Sequence, residues 1–115
     1  MRHGSKQKKF GRLTKQRGAL IRSLAVSLIS KGRISTTKVK AKVLKTFIEK
    51  LVTKSRTDSM HTLRHISSVI GNTSANQLIK TIGPKYKDRA GGYTRIITLP
   101  PRMSDGAERA IIEFI

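Results

Sequence analysis

No acidic residue precedes Glu49, and this gap constrains the fold more than any other feature of the sequence. Residues 1–48 carry 14 lysines and arginines and no carboxylate, whereas residues 49–115 carry 11 against 6. The cations of the N-terminal part have no acidic partner within it, so the fold must leave most of them at a surface. The chain of 115 residues has a net charge of +19, and such self-repulsion is tolerated most easily beside a polyanion.

The remaining composition allows one small core and excludes several classes of protein. Hydrophobic residues make up 37% of the chain, which is enough for one folded domain and argues against a purely disordered basic tail. The absence of cysteine excludes a disulfide scaffold, a thiolate zinc site and a cysteine nucleophile. No apolar run reaches 18 residues, so we predict no membrane span.

The first residues have too few apolar side chains to build a core. The basic cluster that begins at Arg2 contains only Phe10 and Leu13 as large apolar residues, so we predict an extended basic arm over residues 1–13. A transit or secretory peptide is the alternative, but Arg22 interrupts the apolar segment over residues 19–29 and no small-residue cleavage pattern follows. Residues 14–115 are predicted to form a single α/β domain.

Periodicity and capping residues predict four helices and three strands in that domain. The helices open at Thr14, at Thr37, at Thr57 with Asp58, and at Ser74 with Gln77; Gly32, Gly71 and the Gly83–Pro84 pair follow three of them. Residues 33–37, 93–99 and 110–115 are predicted strands, and apolar residues on both faces of the last favour a central position. The order α-β-α-α-α-β-β predicts an α/β (α+β) fold with helices packed on one side of a small mixed sheet.

No constellation of residues indicates an enzyme. The six carboxylates are scattered singly. His61 and His65 have the spacing of a two-histidine metal face, but Thr62 stands where the motif needs Glu, so exposed helix histidines are the favoured interpretation. We therefore expect no catalysis, no metal, no cofactor and no small-molecule substrate.

The loop over residues 84–95 is the most informative segment. It contains adjacent glycines, two tyrosines and four cations, namely Gly91, Gly92, Tyr86, Tyr93, Lys85, Lys87, Arg89 and Arg95. Cations can meet RNA phosphates, tyrosine can stack on a base, and a glycine backbone can lie against the ribose-phosphate chain. The alternative is a hairpin-like turn with a solvated basic rim and Tyr93 in the core.

At these residues the chain resembles the bacterial-type large-subunit ribosomal protein L17 family, from Met1 almost to the end. The resemblance lies in Met1, Arg2, His3, in Arg12, Arg17, Ala19, Arg22, in residues 34–42 (ISTTKVKAK), in Thr57, Asp58, Ser59, in Gly83, Pro84, and in residues 89–96 (RAGGYTRI). Gln16 and Ser23 replace the family's common His and Asn, so the resemblance carries RNA contacts to Arg17 and Arg22 but not to these two positions.

The resemblance implies a non-catalytic protein that binds large-subunit ribosomal RNA near the mouth of the peptide exit tunnel, beside neighbouring ribosomal proteins. It further implies a cytoplasmic or organellar ribosome, no membrane contact and no homo-oligomer. A DNA-compacting protein is the alternative that charge alone leaves open. The expected RNA-binding residues are Arg2, His3, Lys6, Lys8, Lys9, Arg12, Lys15, Arg17, Arg22, Arg33, Thr36, Thr37, Lys38, Lys40, Lys85, Tyr86, Arg89, Gly91, Gly92, Tyr93 and Arg95.

Overall fold

The computed structural model describes residues 13–115, in which helices pack on one side of a small sheet. The elements are α1 (Thr14–Lys31), β1 (Arg33–Thr37), α2 (Lys38–Ser55), α3 (Met60–Ile70), α4 (Asn72–Gln77), a π-helical turn (Leu78–Ile82), α5 (Gly83–Lys85), β2 (Thr94–Leu99) and β3 (Arg109–Phe114). The predicted α+β architecture and element order are confirmed. The predicted arm, apart from Leu13, lies outside the described residues.

The three strands form an antiparallel sheet in the order β1-β3-β2, so the predicted central position of the last strand is confirmed. The sheet is antiparallel throughout and not mixed, because β3 runs opposite to both of its neighbours. Ile34, Ile112 and Ile96 are cross-strand neighbours on the side that faces α2. Every second residue along each strand therefore points away from the helices.

α2 occupies the middle of the core, because it packs on the sheet with one part of its surface and on α1 and α3 with another. Leu44, Ile48 and Val52 on α2 are fully buried, as are Leu28 of α1 and Ile112 of β3. Val39, which the sequence places on the same apolar stripe, is 44% exposed because it lies in the first turn of α2. The buried stripe thus begins at Ala41.

Several helix ends differ from the predicted ones. α1 has Leu13 and not Thr14 as its N-cap, with the Leu13 N–H donating to Gln16 Oε1 over 3.4 Å. Thr37 is the N-cap of α2 as predicted, but its side chain makes no capping hydrogen bond. α3 begins after Ser59, whose Oγ accepts from the Thr62 N–H, and not after Thr57 or Asp58.

The helical segment after α3 also differs from its prediction. Ser74 is buried inside α4 and is not its N-cap, which is Gly71 with φ of 90°. Gln77 does not close a capping box, since its Nε2 donates to the Ile29 carbonyl on α1. Gly83 does not end the helix: a Cβ there would lie 2.6 Å from the Ser55 carbonyl oxygen, so glycine lets the segment pass close to α2 and continue as α5.

Candidate nucleic-acid interface

The expected contact residues fall into a part that the structure describes and a part that it does not. Arg2, His3, Lys6, Lys8, Lys9 and Arg12 lie outside the described residues, so their role stays a prediction. The other expected residues lie in the first half of α1, in β1 and the start of α2, and from the end of α5 to the start of β2.

The N-terminal turns of α1 carry the first described cations. Lys15 and Arg22 are exposed, and the first buried residue of the helix is Ile21. Arg17 Nη2 donates to Thr14 Oγ1 over 3.1 Å, and the Arg22 guanidinium comes to 3.2 Å from the place that a Cβ on Gly18 would occupy. The helix dipole makes a helix N-terminus unfavourable for cations by about 0.3–1 kcal/mol, a cost that an anion bound beside them would offset.

The next expected residues lie around the junction of β1 and α2, and their side chains point in different directions. Thr36 points toward α2 because it pairs with the buried Ala110, whereas Arg33 and Thr37 lie on the opposite face of the sheet. Lys38 and Lys40 are half-buried in the first turn of α2. The segment 33–40 therefore does not present its polar side chains in one direction.

Two tyrosines hold the loop before β2 from inside the protein. Tyr86 is 5% exposed and Tyr93 is fully buried, and their ring centroids are 5.2 Å apart. The Tyr86 hydroxyl donates to the Ile115 carbonyl over 2.6 Å. Burial raises the pKa of Tyr86, an effect that the nearby Arg89 partly opposes. Neither ring is available to stack on a base, so that part of the RNA-binding prediction is wrong and the core position of Tyr93 is correct.

The Tyr93 hydroxyl is the centre of a hydrogen-bond network that sequence reasoning missed. It lies 3.1 Å from Thr53 Oγ1, accepts from Arg56 Nη1 over 3.0 Å, and donates to the Arg89 carbonyl over 3.2 Å. Arg89 Nε in turn donates to the Gly91 carbonyl. The last turn of α2 thus fixes the path of the loop, a role that nothing in the sequence pattern of Thr53 or Arg56 indicates.

Glu49 holds the start of β2 against α2. Its Oε1 accepts from Thr94 Oγ1 over 2.9 Å and from the Thr94 N–H over 3.4 Å. The sequence signal was present, because Glu49 is the lone carboxylate in a lysine-rich helix. With this carboxylate engaged by Thr94, its charge is partly satisfied within the fold.

A groove forms where α2 meets the turn at Gly91 and Gly92, here called the glycine turn. It has a volume of about 330 Å³ and is lined by Lys45, Thr46, Glu49, Lys50, Thr53, Gly91 and Tyr93. Lys45 and Lys50 were not among the expected contact residues, because a solvated face was the favoured interpretation for the later lysines of this helix. The structure places both lysines in the same groove as Gly91, which is one of the expected contact residues.

Arg33 and Arg95 meet on the sheet face that points away from α2. β3 lies between their strands and places Glu113 beside both: Arg33 Nε is 3.5 Å from Glu113 Oε2, and Arg95 Nε is 2.7 Å from Glu113 Oε1. Both arginine side chains remain 59% exposed. These two expected RNA contacts are therefore on a different surface from the groove.

The two histidines of α3 line an open pocket at the end of α2. His65 Nε2 lies 2.7 Å from Lys54 Nζ, so an ammonium group occupies the position that a metal ion bound to this nitrogen would take. Among residues 13–115 no group of three or more His, Cys, Asp or Glu side chains is placed to hold a metal ion. Within the same residues no helix is long and apolar enough to cross a membrane.

Comparison with known proteins identifies the family. The model of the family "Ribosomal protein L17" matches residues 20–115. The large ribosomal subunit protein bL17 of Gemmatimonas aurantiaca is 46% identical over 116 residues, which cover 100% of this chain and 98% of that protein. The bL17 protein of Nautilia profundicola is 44% identical over 120 residues, with 100% and 98% covered. The chain belongs to the ribosomal protein L17 family, whose members are structural proteins and not enzymes.

Proposed function

We propose that this protein is a structural constituent of the large ribosomal subunit that binds large-subunit ribosomal RNA. Its relatives bear the name large ribosomal subunit protein, and its net charge of +19 suits a polyanionic partner. As part of the same proposal, the protein works in the cytoplasm, beside other ribosomal proteins and near the mouth of the peptide exit tunnel. The observation that carries the RNA contact is the groove between α2 and the glycine turn.

The groove has the chemistry that a ribose-phosphate chain needs. Lys45 and Lys50 supply ammonium groups for phosphates, and Thr46 supplies an exposed hydroxyl. Gly91 has no atom within 4 Å of the place that its Cβ would occupy, so its backbone borders open space that a nucleic-acid backbone can enter. The buried Tyr93 holds this turn in place without contacting the RNA.

Other cations extend the contact along the chain. Lys15, Arg17 and Arg22 act from the start of α1, and Lys38 and Lys40 act from the start of α2. The Thr37 hydroxyl makes no capping bond, but Thr37 lies on the same sheet face as Arg33, so it is not part of this set. Lys85, Arg89 and the cations before Leu13 complete the proposed RNA-binding set. The set excludes Arg33 and Arg95, because they lie on a different surface and pair with Glu113. It also excludes Tyr86 and Tyr93, because both side chains are buried.

The test is the salt dependence of RNA binding by a groove variant. Each phosphate contact contributes roughly 0.7–0.9 to the slope of log affinity against log salt, so Lys45→Ala with Lys50→Ala should reduce that slope by about 1.5. The control is Lys31→Ala with Lys80→Ala, which removes the same charge outside the groove. Filter binding to purified large-subunit ribosomal RNA measures both.

Equal slopes for the two double variants would contradict the role of the groove. Duplex DNA that displaces the ribosomal RNA at equal nucleotide concentration would favour a DNA-compacting protein instead. Sedimentation of the tagged chain with ribosomal subunits tests the larger claim, which fails if the chain sediments with the small subunit alone or with neither.

A further inference from the structure

The sheet has a face that no helix of residues 13–115 covers. This open face is built from the alternate residues of the three strands that point away from α2. Ser35, Ile111 and Ile97 form its middle row, Leu99 lies at the end of β2, and Arg33, Arg95 and Arg109 lie around them. Ile97 is 41% exposed and lies directly opposite Ile111 in the register of β2 and β3. Ile111 and Leu99 are partly exposed beside it, and adjacent apolar side chains bordered by charged ones mark interaction sites more often than single ones do.

We propose that the open face is a docking surface for another protein chain, which presents carboxylates next to aliphatic side chains. The aliphatic centre would be covered by the aliphatic side chains of the partner. The arginines around it would pair with its carboxylates. The proposal rests on the proposed function only in that the partner is sought within the large ribosomal subunit.

The arginines are prepared for an additional carboxylate. Glu113 accepts from Arg95 Nε and is paired with Arg33 Nε, which aligns the two guanidiniums on either side of β3. Each guanidinium has five N–H donors in a rigid fork, so an ion pair through Nε leaves donors for a second acid. Two arginines against one carboxylate also leave this part of the face with an excess positive charge.

The composition of the open face favours protein over RNA. Its three cations are all arginine, although the chain contains 14 lysines, and no aromatic residue is among its outward-facing positions. Arginine is enriched and lysine depleted in protein–protein interfaces, and a face without aromatic rings cannot hold unpaired bases by stacking. The groove instead has two lysines and no arginine among its lining residues, which suits contacts with phosphates only.

Charge also argues against two candidate partners, namely residues 1–12 of this chain and a second copy of it. Residues 1–12 of this chain contain five lysines and arginines and no carboxylate, so they do not complement an arginine-bearing surface. A second copy of the chain would bring a further net charge of +19. An acidic segment of a different protein remains as the complementary occupant.

The experiment places the photocrosslinker p-benzoylphenylalanine at position 97 of the full chain, which is then assembled into large ribosomal subunits in cells. We expect position 97 to crosslink to another protein, through a segment that contains Asp or Glu beside aliphatic residues. The same crosslinker at position 50, in the groove, should reach ribosomal RNA. Absence of this second crosslink is the separate sign that the proposed function fails.

A charge reversal tests the role of the arginines. Arg33→Glu with Arg95→Glu should lower the crosslinking yield from position 97 about tenfold, whereas Arg33→Lys with Arg95→Lys, which keeps the charge, should lower it less. Unfolding midpoints of the variants show that the fold is intact. A crosslink from position 97 to RNA, to a second copy of this chain or to nothing would overturn the proposal, as would a yield that charge reversal leaves unchanged.

Discussion

The groove and the open face of the sheet are both cationic, but their cations have different surroundings. In the groove Lys45 and Lys50 lie beside a backbone turn that a buried tyrosine supports from below. On the open face Arg33 and Arg95 share one carboxylate and border aliphatic side chains. The lysine ammonium groups can act as point charges toward phosphates, whereas guanidinium groups held in place by Glu113 suit bidentate pairing with the carboxylates of a partner. A net charge of one sign therefore serves two kinds of contact.

The support beneath the groove can be broken at Tyr93. Tyr93→Ala removes a fully buried ring and should lower the free energy of unfolding by about 3–5 kcal/mol through the cavity it leaves. Urea denaturation of the purified protein measures the change. Tyr93→Phe keeps the ring and loses only the hydroxyl bonds to Thr53, Arg56 and Arg89, so it should cost about 1–2 kcal/mol. A loss below about 1 kcal/mol for the alanine variant would contradict a supporting role.

Substitutions at the two adjacent glycines should affect different properties, with Gly92 important for stability and Gly91 for RNA binding. Gly92 has φ of 65°, so Gly92→Ala should lower the free energy of unfolding by about 1–2 kcal/mol. Gly91 has no positive φ and open space around it, so Gly91→Ala should leave stability unchanged or slightly higher. Its added methyl group should nevertheless weaken binding to ribosomal RNA, as measured by filter binding. Unchanged affinity for Gly91→Ala would show that no nucleic-acid backbone passes close to this turn.

Alkaline pH should lower the stability of the protein through Tyr86, whose ring packs against Tyr93. Burial raises the pKa of Tyr86 in the folded state, so its contribution to stability is present below the ordinary tyrosine pKa of about 10 and is lost as pH rises through the raised value. Tyr86→Phe should cost about 1 kcal/mol at pH 7, because the bond to the Ile115 carbonyl is lost. The variant should then lose less stability than the original chain between pH 9 and pH 11. Equal losses in urea titrations would contradict this assignment.

The ion pairs of the open face should contribute least to folding. Glu113→Gln removes both pairs, but the arginines are 59% exposed, so the free energy of unfolding should change by less than about 1 kcal/mol. RNA affinity should also stay the same if the face does not contact RNA. A marked gain in RNA affinity on freeing Arg33 and Arg95 would erase the distinction between the two surfaces.

The layers of the fold were predictable because periodicity determines which side of a helix or strand is buried. The helix ends were less predictable. Thr57, Asp58 and Ser59 are all suitable caps for α3 and differ by little in energy, and α1 begins after Leu13, a residue that capping preferences disfavour. At Gly83 the close approach to Ser55 let the helical segment continue past a glycine–proline pair that usually ends one.

The candidate site was predictable in its position and not in its internal contacts. The charge and the glycines marked the loop before β2, but the burial of both tyrosines depends on how that loop returns to α2. The meeting of Arg33, Glu113 and Arg95 depends on strand order, which alternation within one strand does not specify. Contacts between residues far apart in the chain were therefore the part that sequence reasoning lacked.

The central position of β3 has a consequence for the order of events during synthesis. β1 and β2 do not pair with each other, and both depend on a strand that is translated after every other described element. While the helices can already pack, β1 and β2 keep unpaired backbone edges until residues 109–114 emerge from the ribosome that is making them. Sheet formation is thus the closing step of folding in the described part of the chain, and it aligns Arg33 with Arg95 only at that moment.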